Sequence, residues 1–234
     1  KRQHELLARS SFDLSTWPTF ATALIRHPDG VRVGIAVDYL LLDGFSVQLL
    51  LTELAACYLD PETSLPELDV SFRDYVLAAG TSPADREASV SYWTDRLESL
   101  PQAPHLPVAV DPAQIDTPVF QRRAGRLEAE QWTQVKQWCR QAGVTPSSVL
   151  LACYSHVLSA FSARPELTLN LTLFDRSRVH PHIDRVLGDF TSLTLLEHRP
   201  TAEESLADAA QRLQRQLASD LDHRGVSALW VQRE

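Results

Sequence analysis

The chain has 234 residues, 44% hydrophobic and 22% charged, with 30 acidic side chains against 22 Lys and Arg and a net charge of −8. That content fills one large domain or two lobes of about 100–150 residues each. The acid excess without a basic stripe argues against nucleic acid as the main partner, no apolar run is long enough to span a bilayer and no signal peptide is seen, and the scattered cysteines suggest a cytoplasmic protein.

Residues 1–9 read as the end of a helix, and Ser10–Trp17 as a turn. Thr19–Arg26 and Val31–Leu41 read as two strands joined at His27-Pro28-Asp29-Gly30. Ser46 is a candidate helix N-cap, with Val47, Leu50, Leu51, Leu54, Cys57 and Tyr58 on one face. A short helix is expected over Phe72–Ala79, and another that Ser82 caps and Pro83 opens. Residues 101–119 are punctuated by prolines, carry no period and read as an extended connection.

Val119–Leu127 then reads as a strand, and Glu128–Ala142 as a helix that Gly143 ends. Thr145-Pro146 opens a further helix, with Val149, Leu150, Cys153, Val157, Ala160 and Phe161 expected inside. Leu167, Leu169, Leu171 and Leu173 alternate with Thr168, Asn170 and Thr172, the pattern of a strand with one buried face. Asp189–Glu197 is a second strand-like run, Thr201 and Glu204 suggest a capping box, and Ser227–Gln232 reads as a last strand. The fold class is α/β or α+β.

Cys57, Cys139 and Cys153 sit far apart in apolar helical stretches and are expected to be reduced and buried. No clustered zinc ligands are visible, and no metal is expected. His180-Pro181-His182 has no third ligand near it in sequence and reads as an exposed loop, while His156 reads as a core or wall residue. There is no GxGxxG, P-loop or GxSxG. Met is absent, even at position 1, and both ends read as cuts through a longer protein.

Several stretches together resemble the heterocyclization domains of nonribosomal peptide synthetases, members of the condensation-domain superfamily. Asp38-Tyr39-Leu40-Leu41-Leu42-Asp43-Gly44 fits the DxxxxD of that family, where ordinary condensation domains carry HHxxxDG. Ser71-Phe72-Arg73-Asp74-Tyr75, Tyr92-Trp93, Asn170–Arg176, Gly188-Asp189-Phe190-Thr191-Ser192-Leu193 and Asp220-Leu221-Asp222-His223 follow in the family's order. One departure is Asp175, where the family usually has Asn.

The resemblance implies a chloramphenicol acetyltransferase-like, two-lobed fold, incomplete at both ends, with residues 1–110 in the N-terminal lobe and 111–234 in the C-terminal lobe. It also implies carrier-bound substrates: an acyl or peptidyl thioester and a Cys, Ser or Thr thioester. These are held on the 4'-phosphopantetheine arms of upstream and downstream peptidyl carrier proteins, beside an adenylation domain. No cofactor is expected on the chain itself. Condensation would be followed by cyclodehydration to a thiazoline or oxazoline. The other readings are an ordinary amide-forming condensation or acyltransferase domain, and a non-catalytic carrier-binding module.

Ring closure needs a proton removed from the nucleophile and one given to the departing oxygen. Resemblance points to Thr191 and an aspartate on the following helix, where Asp222 is preferred to Asp220 without a clean choice. Asp38 stands as either an acid–base group or a strand-end brace. Asp43 is expected to pair with Arg176, Asn170 either to bind a substrate carbonyl or to bond across strands, and Asp189 to hold a turn.

Overall fold

The computed structural model describes residues 12–116, 121 and 123–234. The helix end expected over residues 1–9 lies outside them, as does part of the strand expected over 119–127, whose described residues 123–127 are irregular. Contacts divide the chain into two compact units. One contains Lys1–Gly80 and Leu173–Ser192, and the other Thr81–Thr172 and Leu193–Glu234. In this division Leu173–Ser192 groups with the residues before Gly80.

In the first unit, β1 (Phe20–His27) and β2 (Gly30–Val37) form an antiparallel hairpin, with Phe20 opposite Val37 and His27 opposite Gly30. Gly30 takes φ +134°, a backbone region open chiefly to glycine, so the tight turn depends on it. The second strand stops at Val37 rather than Leu41. There the Leu40 N–H bonds the Asp38 carboxylate at 2.9 Å, and the Leu41 N–H bonds the Asp38 carbonyl at 3.0 Å. Those bonds fold residues 38–41 into a turn and leave no extended backbone to pair.

Helix α1 (Gly44–Leu59) follows, capped by Asp43 rather than Ser46, and α2 (Phe72–Ala78) is closed by a reciprocal capping box between Ser71 and Asp74. The buried apolar centre of this unit is Ile183, Val186 and Phe190, packed by Val70, Phe72 and Tyr75. Phe72 and Tyr75 place their rings 5.0 Å and 4.6 Å from that of Phe190. The packing admits no side chain at Gly188, where a Cβ would fall 2.3 Å from the Phe72 ring.

In the second unit, Ser82 caps and Pro83 opens α3 (Pro83–Thr94), as expected. Helix α4 (Ala129–Ala142) ends at Gly143 with φ 67°, and Thr145 caps α5 (Pro146–Phe161). Strands β3 (Leu167–Phe174) and β4 (Thr191–His198) pair as a two-stranded sheet, and the chain passes between the two units within each of them. One core cluster joins Cys139, Val149 and Ala152 to Leu196, Ala209, Ala210 and Leu213; another gathers Trp93, Leu195, Val226, Ala228 and Val231.

Helix α5 turns a different face inward than its apolar residues suggest. Ser148, Val149, Ala152 and Ser155 are buried, while Leu150, Cys153, Val157 and Phe161 are exposed. Small residues allow close approach to α6 (Leu206–Asp222), which is why they take that face. Of the cysteines, Cys139 alone is buried; Cys57 is half-buried and Cys153 exposed, and all three are free thiols. Ser205, not Thr201, caps α6, and Glu204 instead holds Arg212 through two bonds of 2.8 Å. The last expected strand is a helix, α7 (Ala228–Val231), started by the Ser227 cap. Among the described residues no single helix is long and apolar enough to cross a membrane.

Candidate functional site

Asp43 is 1% exposed, and its position follows from the turn that ends the hairpin. Its carboxylate accepts the Ser46 N–H at 2.6 Å, which caps α1, and the Phe190 N–H at 3.3 Å. Its own N–H donates to the Gly188 carbonyl at 3.0 Å. Arg176 completes the arrangement, with Nη2 3.4 Å from Asp43 Oδ1 and 2.8 Å from Ser46 Oγ. Nη1 of the same guanidinium donates to the carbonyls of Ile183, at 3.0 Å, and Val186, at 2.8 Å. The cation lies 3.7 Å over the Phe190 ring and 4.5 Å over that of Phe45.

Ser46, which reads in sequence as a cap, is instead the residue that holds Gly188. Its buried hydroxyl donates to Gly188 O at 2.8 Å and accepts from Gly188 N at 3.0 Å. Asp43, Ser46 and Arg176 thus tie the start of α1 to a segment 130 or more residues further along the chain. The Asp43 carboxylate is committed to donors from Ser46, Phe190 and Arg176. Asp38 stands apart: it is half-buried and orders the turn through Leu40.

Asp189 is a turn residue, its carboxylate accepting the Thr191 N–H at 3.0 Å. Thr191 opens β4 with an exposed side chain in the first unit. Asp222 belongs to the second unit, at the last position of α6, and is also exposed. The two aspartates of α6 are unlike each other. Asp220 is fully buried; it takes Arg96 Nη1 at 2.5 Å and the Tyr92 hydroxyl at 2.7 Å on one oxygen. Arg96 also bonds Glu197 at 3.0 Å, and Tyr92 stacks on the His223 ring at 3.9 Å. This network consumes Asp220 and leaves Asp222 open to solvent. Asn170 is exposed on β3 and accepts from Gln232 Nε2 at 2.9 Å.

Two histidine pairs have partners that the sequence reading did not find. His198 is fully buried, packs against His156 with ring centroids 4.9 Å apart, and has neither ring nitrogen hydrogen-bonded. Burial, followed by the charges of His156 and Arg212, pushes its pKa down to about 4. The second pair, His180 and His182, meets Asp69. The His-Pro-His run is visible in sequence, but no local pattern marks the partners, since each lies at least 40 positions away.

The whole chain, residues 1–234, matches the model of the condensation domain, and the chain belongs to that family. Within it, the chain is 38% identical over 235 residues to pyochelin synthetase PchE of Pseudomonas aeruginosa, covering all of this chain and 16% of that protein. It is 30% identical over 235 residues to phenyloxazoline synthase MbtB of a Mycobacterium species, covering all of this chain and 19% of the relative. The fold is that of nonribosomal peptide synthetase condensation domains. The cyclization-docking bidomain of EpoB from Sorangium cellulosum superposes with a TM-score of 0.91 at 34% identity, over 99% of this chain and 49% of that one. The chain therefore spans under a fifth of these two curated relatives and about half of the solved bidomain.

Proposed function

We propose that the chain is part of a heterocyclization domain that joins a carrier-bound acyl or peptidyl thioester to a carrier-bound Cys, Ser or Thr and then closes a thiazoline or oxazoline ring. The observation that carries the proposal is the DxxxxDG stretch, with Asp38-Tyr39 in place of a histidine pair, in a chain similar to a phenyloxazoline synthase and a cyclization domain. Upstream and downstream peptidyl carrier proteins with phosphopantetheine arms, an adjacent adenylation domain and a cytoplasmic setting belong to the same proposal.

The amine of the acceptor attacks the donor thioester carbon. A C–N bond forms, the C–S bond breaks, and the donor arm leaves as its thiol. Alignment of the two arms supplies most of what this step needs. The acceptor's thiol or hydroxyl then adds to the new amide carbon, its proton passing to the carbonyl oxygen. Departure of that hydroxyl with the amide proton as water leaves the C=N bond. Ring closure is the step that demands proton transfer.

Thr191 and Asp222 are assigned here to that proton traffic, Asp222 moving the proton and Thr191 orienting it. The exposure of both side chains supports this, as does the commitment of Asp220 to Arg96 and Tyr92. Asp43 and Arg176 brace the structure, Asp189 holds its turn, and Asp38 and Asn170 are secondary candidates for substrate contact.

The test uses the complete domain with two loaded carrier proteins and intact-protein mass spectrometry. A product lighter than the linear amide by one water supports heterocyclization. Linear amide alone supports an ordinary condensation domain, and carrier binding without product a docking module. Thr191→Ala and Asp222→Asn are expected to accumulate linear amide. Equal loss of amide and ring in a folded variant refutes their assignment.

A further inference from the structure

The structure assigns a second site to the first unit. We propose that Asp69, His180 and His182 bind a divalent transition-metal cation of the zinc class. The ligand atoms of the three side chains lie within 4.8 Å of one another. His182 Nδ1 is 2.9 Å from Asp69 Oδ1, and His180 Nε2 is 3.6 Å from the same oxygen. Imidazole and carboxylate ligands at 2.0–2.1 Å from a tetrahedral ion stand about 3.3 Å apart. The two observed separations bracket that value, and the two imidazole ligand atoms lie within 4.8 Å of each other. Two imidazoles and one carboxylate leave at least one coordination position for water or another ligand.

The backbone presents these groups from a fixed base. Pro181 holds its own φ between the two histidines. Ile183, next to His182, is 1% exposed within the core of the unit, and Val70, next to Asp69, packs on the same cluster. Both sides of the site are therefore pinned to one apolar core, while the side chains stay accessible: Asp69 71%, His182 47% and His180 28% exposed. His180 also borders a cleft of about 470 Å³ with Arg178 and Asp184.

Without metal, the His182 N–H donates to His180 Nδ1 at 3.2 Å, which directs the His180 proton to Nε2. Coordination through Nε2 moves that proton to Nδ1 and releases the His182 N–H to water. The cost is two exposed hydrogen bonds, this one and the 2.9 Å bond between His182 Nδ1 and Asp69 Oδ1.

The experiment titrates the full-length polypeptide with Zn²⁺ alone by calorimetry, and with Co²⁺ alone by visible absorption. Asp69→Asn, His182→Ala and His180→Ala are compared with His105→Ala, an exposed imidazole outside the cluster. The wild type and His105→Ala are expected to bind one equivalent more than the cluster variants, or to bind it at least about tenfold more tightly. The Co²⁺ spectrum is expected to show d–d bands without a thiolate charge-transfer band, which separates this site from the exposed Cys153. Circular dichroism without metal confirms that the variants are folded. Equal stoichiometry and affinity in the wild type and the folded cluster variants overturn the proposal. A thiolate spectrum does the same.

Discussion

Removing the Asp43 carboxylate tests whether the second acid of DxxxxD is chemical or structural. In Asp43→Ala the cap on α1 is lost, which costs about 1 kcal/mol. The larger effect falls on Arg176, whose side chain is 6% exposed and loses its counter-ion. Breaking a buried pair on one side costs about 3–5 kcal/mol. Arg176 keeps Ser46 Oγ, two carbonyls and the Phe190 ring, so the lower end applies. The expected total is about 4 kcal/mol. Asp43→Asn retains an oxygen for the Ser46 N–H and is expected to cost about 2–3 kcal/mol, the charge effect without the cap. Urea unfolding of the complete domain measures each value, and the Asp43→Ala/Arg176→Ala double variant measures the coupling. A loss under about 1 kcal/mol in Asp43→Ala, together with abolished product formation, refutes the structural assignment and returns Asp43 to the chemistry.

The two aspartates of α6 are predicted to separate by assay. Asp220→Ala strands the partly buried Arg96 and is expected to cost about 3 kcal/mol, whereas Asp222→Asn shifts stability by no more than about 0.5 kcal/mol. Equal thermal shifts in the two variants contradict this. His198 has its pKa pushed down to about 4 from an ordinary 6.5, so the folded state keeps it neutral while the unfolded chain takes up a proton. Its contribution is therefore fully present above pH 6.5 and is lost as the pH falls toward 4. That loss amounts to about 3 kcal/mol at most, and His198→Leu is expected to flatten this part of the stability profile relative to wild type. Parallel profiles for the two proteins exclude the role. Gly188→Ala drives a methyl group into the Phe72 ring and is expected to destabilise by about 1–3 kcal/mol. The Phe72→Leu background should recover part of this, and an additive loss in the double variant argues against the clash.

Short-range physics was legible in the sequence alone. The hairpin turn needs Gly30 at positive φ, and the helix boundaries at Ser82-Pro83, Gly143 and Thr145-Pro146 are written in caps and breakers that act within one turn. The leucine alternation of β3 appears as half-buried Leu169, Leu171 and Leu173 against exposed Asn170 and Thr172. The family signature was legible for the same reason, since its motifs are contiguous runs.

Tertiary structure decided what depends on partners. Helix α5 is apolar on more than one side, and packing against α4, α6 and β4 determines that Ser148, Ala152 and Ser155 go inside. Residues 228–231 are too short for their apolar run to distinguish strand from helix, and the Ser227 cap within a packed cluster resolves it. Asp220 and Asp222 look alike in sequence, yet Arg96 and Tyr92 bury and bind only the first. The His-Pro-His loop acquires Asp69 from 113 positions away. Propensity and capping act along the chain over a few residues. Burial, ion pairing and ligand geometry act through space between residues whose separation in sequence carries no energy.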